Sequence, residues 1–245
     1  MSRFFIEVSY KGTNYSGFQV QENAVTVQEV IEKAFATIHR RPVVLTGSSR
    51  TDAGVHALQN FFHFDEEAIH PQFIYKLNAI LPPDISVREV WQMKEEAHSR
   101  FDATSRSYEY RIHRRKDPFS EGLSLFYPYS LDFDLMKRAA DLIKEQEYFA
   151  AFSKTNTQVK NFRCKIYKSE WRENGEGLIY SIEGNRFLRG MVRQLTASLL
   201  KIGRGKLSLE EFGSFFSGDE KCGISVPARG LFLVSVNYPE NYFPL

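Results

Sequence analysis

Cysteine is close to absent: Cys164 and Cys222 are the only two in 245 residues. They stand far apart and in no C-x-x-C pair, so neither a disulfide framework nor a thiolate metal site is indicated. Long hydrophobic runs are missing as well, and no apolar stretch approaches the roughly 20 residues of a membrane span. Met1-Ser2-Arg3-Phe4-Phe5-Ile6 meets Glu7 too soon for a signal peptide, which makes the cytoplasm the expected location. The glycines of Lys11-Gly12-Thr13-Asn14-Tyr15-Ser16-Gly17 lack the G-K-[ST] ending of a phosphate-binding loop. His56, His63 and His70 are evenly spaced but fall across a loop, a strand and a helix start. No H-E-x-x-H or His/Cys cluster accompanies them, so no metal is expected. No G-x-S-x-G supports serine nucleophile chemistry.

What remains is an ordinary soluble composition, 42% hydrophobic and 25% charged, with 21 Phe and 12 Tyr. The net charge of +2 conceals a segregation. Residues 1–150 carry 18 Lys/Arg against 21 Asp/Glu, residues 151–206 carry 12 against 4, and residues 207–245 carry 2 against 5. Positive charge concentrated in so short a segment suits a polyanion partner, although a solvated basic surface has the same composition.

Periodicity gives the elements. Arg3–Tyr10 reads as a strand of mixed alternation, and Thr26–His39 as an amphipathic helix with a Thr26/Glu29 capping box. Its apolar face is Val27, Val30, Ile31, Ala34, Phe35 and Ile38. Strand-like runs at Pro42–Leu45 and Asn60–Phe64, a short helix near Pro71–Ile80 and strands at Ile85–Met93 and Arg106–His113 follow. Then come a helix at Asp134–Tyr148 with Leu135, Ala139, Leu142 and Ile143 inward, and strands at Phe162–Trp171 and Leu178–Glu183 joined through Asn174-Gly175-Glu176-Gly177. A helix over roughly Asn185–Ile202, a short one capped by Ser208 and Glu211, and a strand at Gly230–Tyr238 complete the chain. The order strand–helix–strand–strand–helix–strand occurs before about residue 103 and roughly again after it. The expected fold is α+β: two similar halves, 1–102 and 103–245, with mostly antiparallel sheets and helices packed on one side.

Three groups of residues could carry chemistry. The first is the loop Gly47-Ser48-Ser49-Arg50-Thr51-Asp52-Ala53-Gly54-Val55-His56-Ala57, where Asp52 lies two residues from Arg50 and two from Gly54. A polar loop between apolar strands is a site candidate, yet an Asx-turn around Asp52 explains the same residues. The second is the strand Arg106-Ser107-Tyr108-Glu109-Tyr110-Arg111, which sets Arg106, Tyr108 and Tyr110 on one face. Aromatics beside arginines suit base stacking with phosphate neutralisation, and a core aromatic pair is the alternative. The third is the Asn185–Ile202 helix. Leu188, Met191, Val192, Leu195, Leu199 and Ile202 form its inward stripe at 100° per residue. On the same wheel Arg186, Arg189 and Arg193 share another face and could clamp phosphates bidentately.

The loop Arg50-Thr51-Asp52-Ala53-Gly54-Val55-His56 matches the R-T-D-A-G-V-H signature of the tRNA pseudouridine synthase A family, and the chain resembles that family along its length. Agreement extends to Tyr10–Gln21, Val27-Gln28-Glu29, Asn78–Pro82, Arg100-Phe101 through Tyr110, Met191-Val192-Arg193 and the Gly230-Leu231 strand. Ser49 departs from it, standing where the family has glycine, and Arg189-Gly190 replace bulkier polar residues. The resemblance implies the pseudouridine synthase fold with an active-site cleft between the halves. It further implies isomerisation of uridine to pseudouridine at positions 38, 39 and 40 of the tRNA anticodon stem-loop, without a cofactor and by a homodimer. It implies Asp52 as nucleophile, Tyr108 stacked on the target uracil, Arg193 paired with the Asp52 carboxylate, and Arg50 holding the flipped nucleotide or filling its gap. Arg186 and Arg189 join these as substrate-binding residues. The residues themselves also permit a non-catalytic RNA-binding module or, more remotely, a carboxylate-dependent hydrolase.

Overall fold

The computed structural model describes residues 1–154, 159–218 and 220–244. The chain divides into two compact units, 1–104 with 232–245, and 105–231. The last strand, from Phe232 on, belongs to the first unit.

The first unit contains β1 (Ser2–Tyr10), α1 (Val27–His39), β2 (Thr46–Gly47), β3 (His56–Glu66), α2 (Phe73–Ile80) and β4 (Ile85–Met93). β1 pairs antiparallel with both β3 and β4, with Phe5 opposite His63 on one side and Trp91 on the other. The mixed alternation of β1 is that of a central strand covered on both faces, since Phe4, Phe5 and Ile6 are all buried. Phe4 stacks on Phe64, which meets Phe35 of α1 edge-on at 5.0 Å. Phe5 faces the other way, against Tyr238, Tyr242 and Phe243 of the C-terminal segment.

Helix α1 starts as expected, with the Thr26 hydroxyl accepting from Glu29 N–H at 3.3 Å. The Glu29 carboxylate also pairs with Lys33 at 2.5 Å, one turn further along the helix. Pro42–Leu45 is not a strand. Its buried Val43 and Leu45 around an exposed Val44 imitate one. Side chains of α1 take its backbone groups, however: Glu32 accepts from Leu45 N–H (3.0 Å) and Gln28 donates to Leu45 C=O (2.8 Å). Only β2 reaches the sheet.

The second unit contains β5 (Ser105–His113), β6 (Leu125–Phe126), α3 (Phe133–Lys144), β7 (Ile166–Asn174), β8 (Gly177–Gly184), α4 (Met191–Gly203) and α5 (Leu209–Ser214). β8 is the middle strand, antiparallel to β5 and β7, and Tyr180 sits opposite both Tyr110 and Trp171. β7 begins later than its apolar run, because Phe162 and Cys164 bond to Phe149 and Glu147 in the segment after α3. Met136 and Ala140 of α3 are buried where Leu135 and Leu142 were expected, the two being half-buried. The smaller Ala pair lets α3 approach β7 and α4. α4 is buried along nearly its whole length, and its polar side chains are satisfied within the core. Thr196 donates to Val192 C=O, and Gln194 to Phe152 C=O. Ser208 and Glu211 form the full capping box of α5. β9 (Leu231–Asn237) pairs parallel to β3 through His56 and Phe232 and is the strand that rejoins the first unit.

His63 on β3 gives this fold an acid limit. It is 7% exposed and its Nδ1 accepts from Ser99 N–H at 3.2 Å. Burial first, then Arg3 and His98, push its pKa down to about 4. An unfolded chain takes up that proton near pH ~6.5, so between those values the unfolded state binds more protons and stability falls as pH drops. Asp65 and Asp102, held low, act only further down, in the carboxylate range. We expect the melting temperature to fall between pH 6.5 and 4, at most about 1.4 kcal/mol per pH unit for this group. His63→Gln should flatten that slope in thermal melts. An unchanged slope would rule His63 out as its source.

Candidate active site

Residues 48–55 connect β2 to β3 and carry Asp52. The surrounding chain takes up several of their main-chain groups. Ser48 N–H donates to Phe61 C=O (2.7 Å), Phe18 N–H to Thr51 C=O (3.1 Å) and Gly54 N–H to Tyr15 C=O (3.3 Å). The Asp52 carbonyl accepts from Val55 N–H (3.1 Å), a main-chain bond that closes the turn. Gly54 occupies its third position at φ +77, which only glycine adopts cheaply. The approach of the 12–18 segment needs another glycine: a Cβ on Gly12 would lie 1.9 Å from the Val55 carbonyl oxygen. Gly12 N–H donates to His56 Nδ1 at 3.0 Å, and the His56 ring stacks on Phe232 at 4.6 Å.

On this loop Arg50 is exposed, Thr51 is buried and Asp52 is half-buried. Ser49 is buried, and its carbonyl accepts from Asn60 Nδ2 at 2.9 Å. Buried side chains from β1 and β3, Tyr10 and Asn60, reach the same loop. Sequence reading missed both. The signal was a lone amide inside an apolar strand.

In the second unit β5 separates its two tyrosines. Tyr110 is wholly buried and donates to Pro227 C=O at 2.8 Å, and burial raises the pKa of its hydroxyl. It is a core residue. Tyr108 keeps 9% exposure, with its ring edge-on to Phe187 at 5.2 Å. Arg106 donates from Nη1 to the Asn185 carbonyl at 3.1 Å.

The arginine face changes most. α4 begins at Met191, not near Asn185, so Arg186 and Arg189 precede the helix and share no helical face with Arg193. Two features stop the helix from starting earlier. Asn185 continues sheet-like bonding, its N–H to Lys165 C=O and its Oδ1 to Lys165 N–H. Gly190 then caps the helix at φ +77. The inward stripe survives, with Leu188, Met191, Val192, Leu195, Leu199 and Ile202 all buried. Arg186 and Arg193 are half-buried and Arg189 exposed. Arg193 Nε donates to Val226 C=O at 2.8 Å, which ties its side chain to the segment before β9.

A further basic feature escaped the sequence reading. Exposed Arg114, Arg115 and Lys116 in the β5–β6 connection border a groove of about 570 Å³, with Phe119 91% exposed at its edge. Arg115 pairs with Glu176 at 2.8 Å. Among the described residues no group of three His, Cys, Asp or Glu side chains is placed to hold a metal, and no helix is long and apolar enough to cross a membrane.

The chain as a whole is similar to known proteins. A sequence profile of the tRNA pseudouridine synthase family matches the chain twice, over residues 6–102 and 143–239. The tRNA pseudouridine synthase A of Parabacteroides distasonis is 42% identical over 250 residues that span all of this chain and 99% of that protein. The protein of the same name from Bacteroides thetaiotaomicron is 44% identical over 99% of this chain and 93% of its own length. One from Staphylococcus aureus is 36% identical over 98% and 92%. With a profile matched over most of its length and relatives covered almost end to end, the chain belongs to the tRNA pseudouridine synthase family.

Proposed function

We propose that this chain converts uridine to pseudouridine in the tRNA anticodon stem-loop, at positions 38, 39 and 40, with Asp52 as its nucleophile. It works without a cofactor, as a homodimer in the cytoplasm. Membership of the family makes it an isomerase of tRNA uridine. The single observation that supports Asp52 is the setting of its loop: a half-buried carboxylate on backbone that the 12–18 segment holds at Thr51 and Gly54 and that the turn to Val55 closes at Asp52 itself. Preorganisation of this kind is what an attacking group requires.

The reaction breaks the N1–C1′ bond and forms a C5–C1′ bond. The C5 hydrogen leaves as a proton and N1 gains one, so the atoms balance without an oxidant or reductant. An ionised carboxylate can attack either the uracil ring or the ribose carbon, and the detached base turns before the new bond forms. Such a carboxylate needs positive charge in the site, and Arg193 and Arg50 are assigned to supply it. The target base must leave its stack, which costs roughly a few kcal/mol. Stacking on Tyr108 returns about 1–3 kcal/mol. Arg50 holds the flipped nucleotide or fills the gap it leaves, and Arg186 and Arg189 contact phosphate.

Three outcomes follow. Asp52→Asn should abolish release of a hydrogen label from C5 of uridine while tRNA affinity stays within a few-fold; full activity would remove Asp52 as nucleophile. Tyr108→Leu should lower turnover more than it weakens tRNA binding, and an unaltered rate would refute the stacking role. Arg189→Gln should weaken tRNA binding at low salt and make the log Kd against log salt plot shallower by roughly one phosphate contact. An identical slope would place Arg189 outside the RNA contact.

A further inference from the structure

Main-chain bonds hold the Asp52 loop from one side. On the other lies a run of buried side chains that the proposed reaction does not use. Asn60 of β3 is 0% exposed. Its Oδ1 accepts from Ser48 Oγ at 2.8 Å, and its Nδ2 donates to Ser49 C=O at 2.9 Å and to Tyr10 Oη at 3.3 Å. Tyr10 Oη lies in turn 2.8 Å from Thr51 Oγ1. Tyr10 and Thr51 are 4% and 8% exposed, so the whole chain of contacts is shielded from water.

Thr51 is the residue immediately before Asp52, and it is gripped twice. Its carbonyl accepts from Phe18 N–H and its hydroxyl bonds to Tyr10. With the Asp52 carbonyl closing the turn onto Val55, the backbone on both sides of the carboxylate is fixed. Stability alone does not call for this arrangement. A buried polar chain gives little net stabilisation over apolar side chains of the same shape, and Phe, Val and Leu would suit a strand core equally well. What a hydrogen-bonded chain adds is direction.

We propose that Asn60, Tyr10 and Thr51 form a positioning relay that aims the Asp52 carboxylate, so that their hydroxyl and amide groups serve turnover rather than folding or tRNA affinity. The inference rests on Asp52 being the nucleophile. The relay acts through the backbone at Thr51, and its strength depends on the Tyr10–Thr51 bond.

The test compares Tyr10→Phe, Thr51→Val and Thr51→Ser with the parent enzyme in single-turnover uridine isomerisation, tRNA binding and thermal melting. Tyr10→Phe and Thr51→Val should each lower the rate about 10-fold or more, with tRNA Kd within two-fold and melting within a few degrees. Thr51→Ser, which keeps the hydroxyl, should recover most of the rate. The double variant Tyr10→Phe/Thr51→Val should be no slower than the slower single one, because both remove the same bond. Parental rates in Tyr10→Phe and Thr51→Val, a loss confined to Kd, or independent effects in the double variant would each overturn the relay. Should Tyr10→Phe fail to fold, the contrast between Thr51→Val and Thr51→Ser decides. Asp52→Asn measured alongside separates the two ideas. If it is active, the nucleophile reading and the relay both fall; if it is inactive while the relay variants run at the parental rate, only the relay falls.

Discussion

The first unit depends on a hydrogen-bond obligation. A connection between two strands of a buried sheet cannot leave its peptide groups unpaired, because each orphan costs on the order of 1–3 kcal/mol. Here β2 is only two residues long and β3 begins at His56, so beyond the Ser48 N–H bond to Phe61 C=O the ladder does not serve residues 49–55. The 12–18 segment does so instead, through Phe18 N–H and the Tyr15 carbonyl. The Gly12 position has to be bare for that segment to come close, and Gly54 must take a positive φ for the loop to turn.

That obligation explains where sequence reading succeeded and where it stopped. Elements whose signal is local were legible. Examples are the Thr26 cap and buried face of α1, the Ser208/Glu211 box of α5, and the strands at Ile85–Met93 and Ser105–His113. Errors came where a backbone group found a partner distant in sequence. Leu45 bonds to side chains of α1, which keeps Pro42–Leu45 out of the sheet, and Phe162 and Cys164 bond to the segment after α3, which delays the start of β7 to Ile166. Helix α4 shows the same effect. A wheel can place Arg186, Arg189 and Arg193 on one face only if the helix already exists, and Asn185 and Gly190 delay its start.

The candidate site was legible unevenly for a related reason. Asp52 and its neighbours form one continuous motif, so the sequence displayed them together. Tyr10 and Asn60 belong to strands 50 residues apart, and an amide or phenol inside an apolar run carries no sign of what it will bond. Tyr108 and Tyr110 share a strand face by simple alternation, yet one lies wholly in the core under Pro227 and the other beside Phe187. Alternation assigns a face; depth along that face is decided by whatever packs upon it.

Charge and shape are distributed separately along this chain, which suits the chemistry assigned to it. The first unit offers a fixed carboxylate on an acidic to neutral background, whereas the basic excess falls in residues 151–206, within the second unit. Electrostatic attraction for RNA is long-ranged and tolerates side chains that stand out in solvent, as Arg189 and the Arg114–Lys116 run do. Attack on a single carbon is short-ranged, and a displacement of about 1 Å can cost 100-fold in rate. Exposed cations and a carboxylate on hydrogen-bonded backbone therefore answer different demands, affinity in one case and geometry in the other. Satisfied backbone around Asp52 supplies the geometry without adding charge to the loop beyond Arg50 and Asp52 themselves.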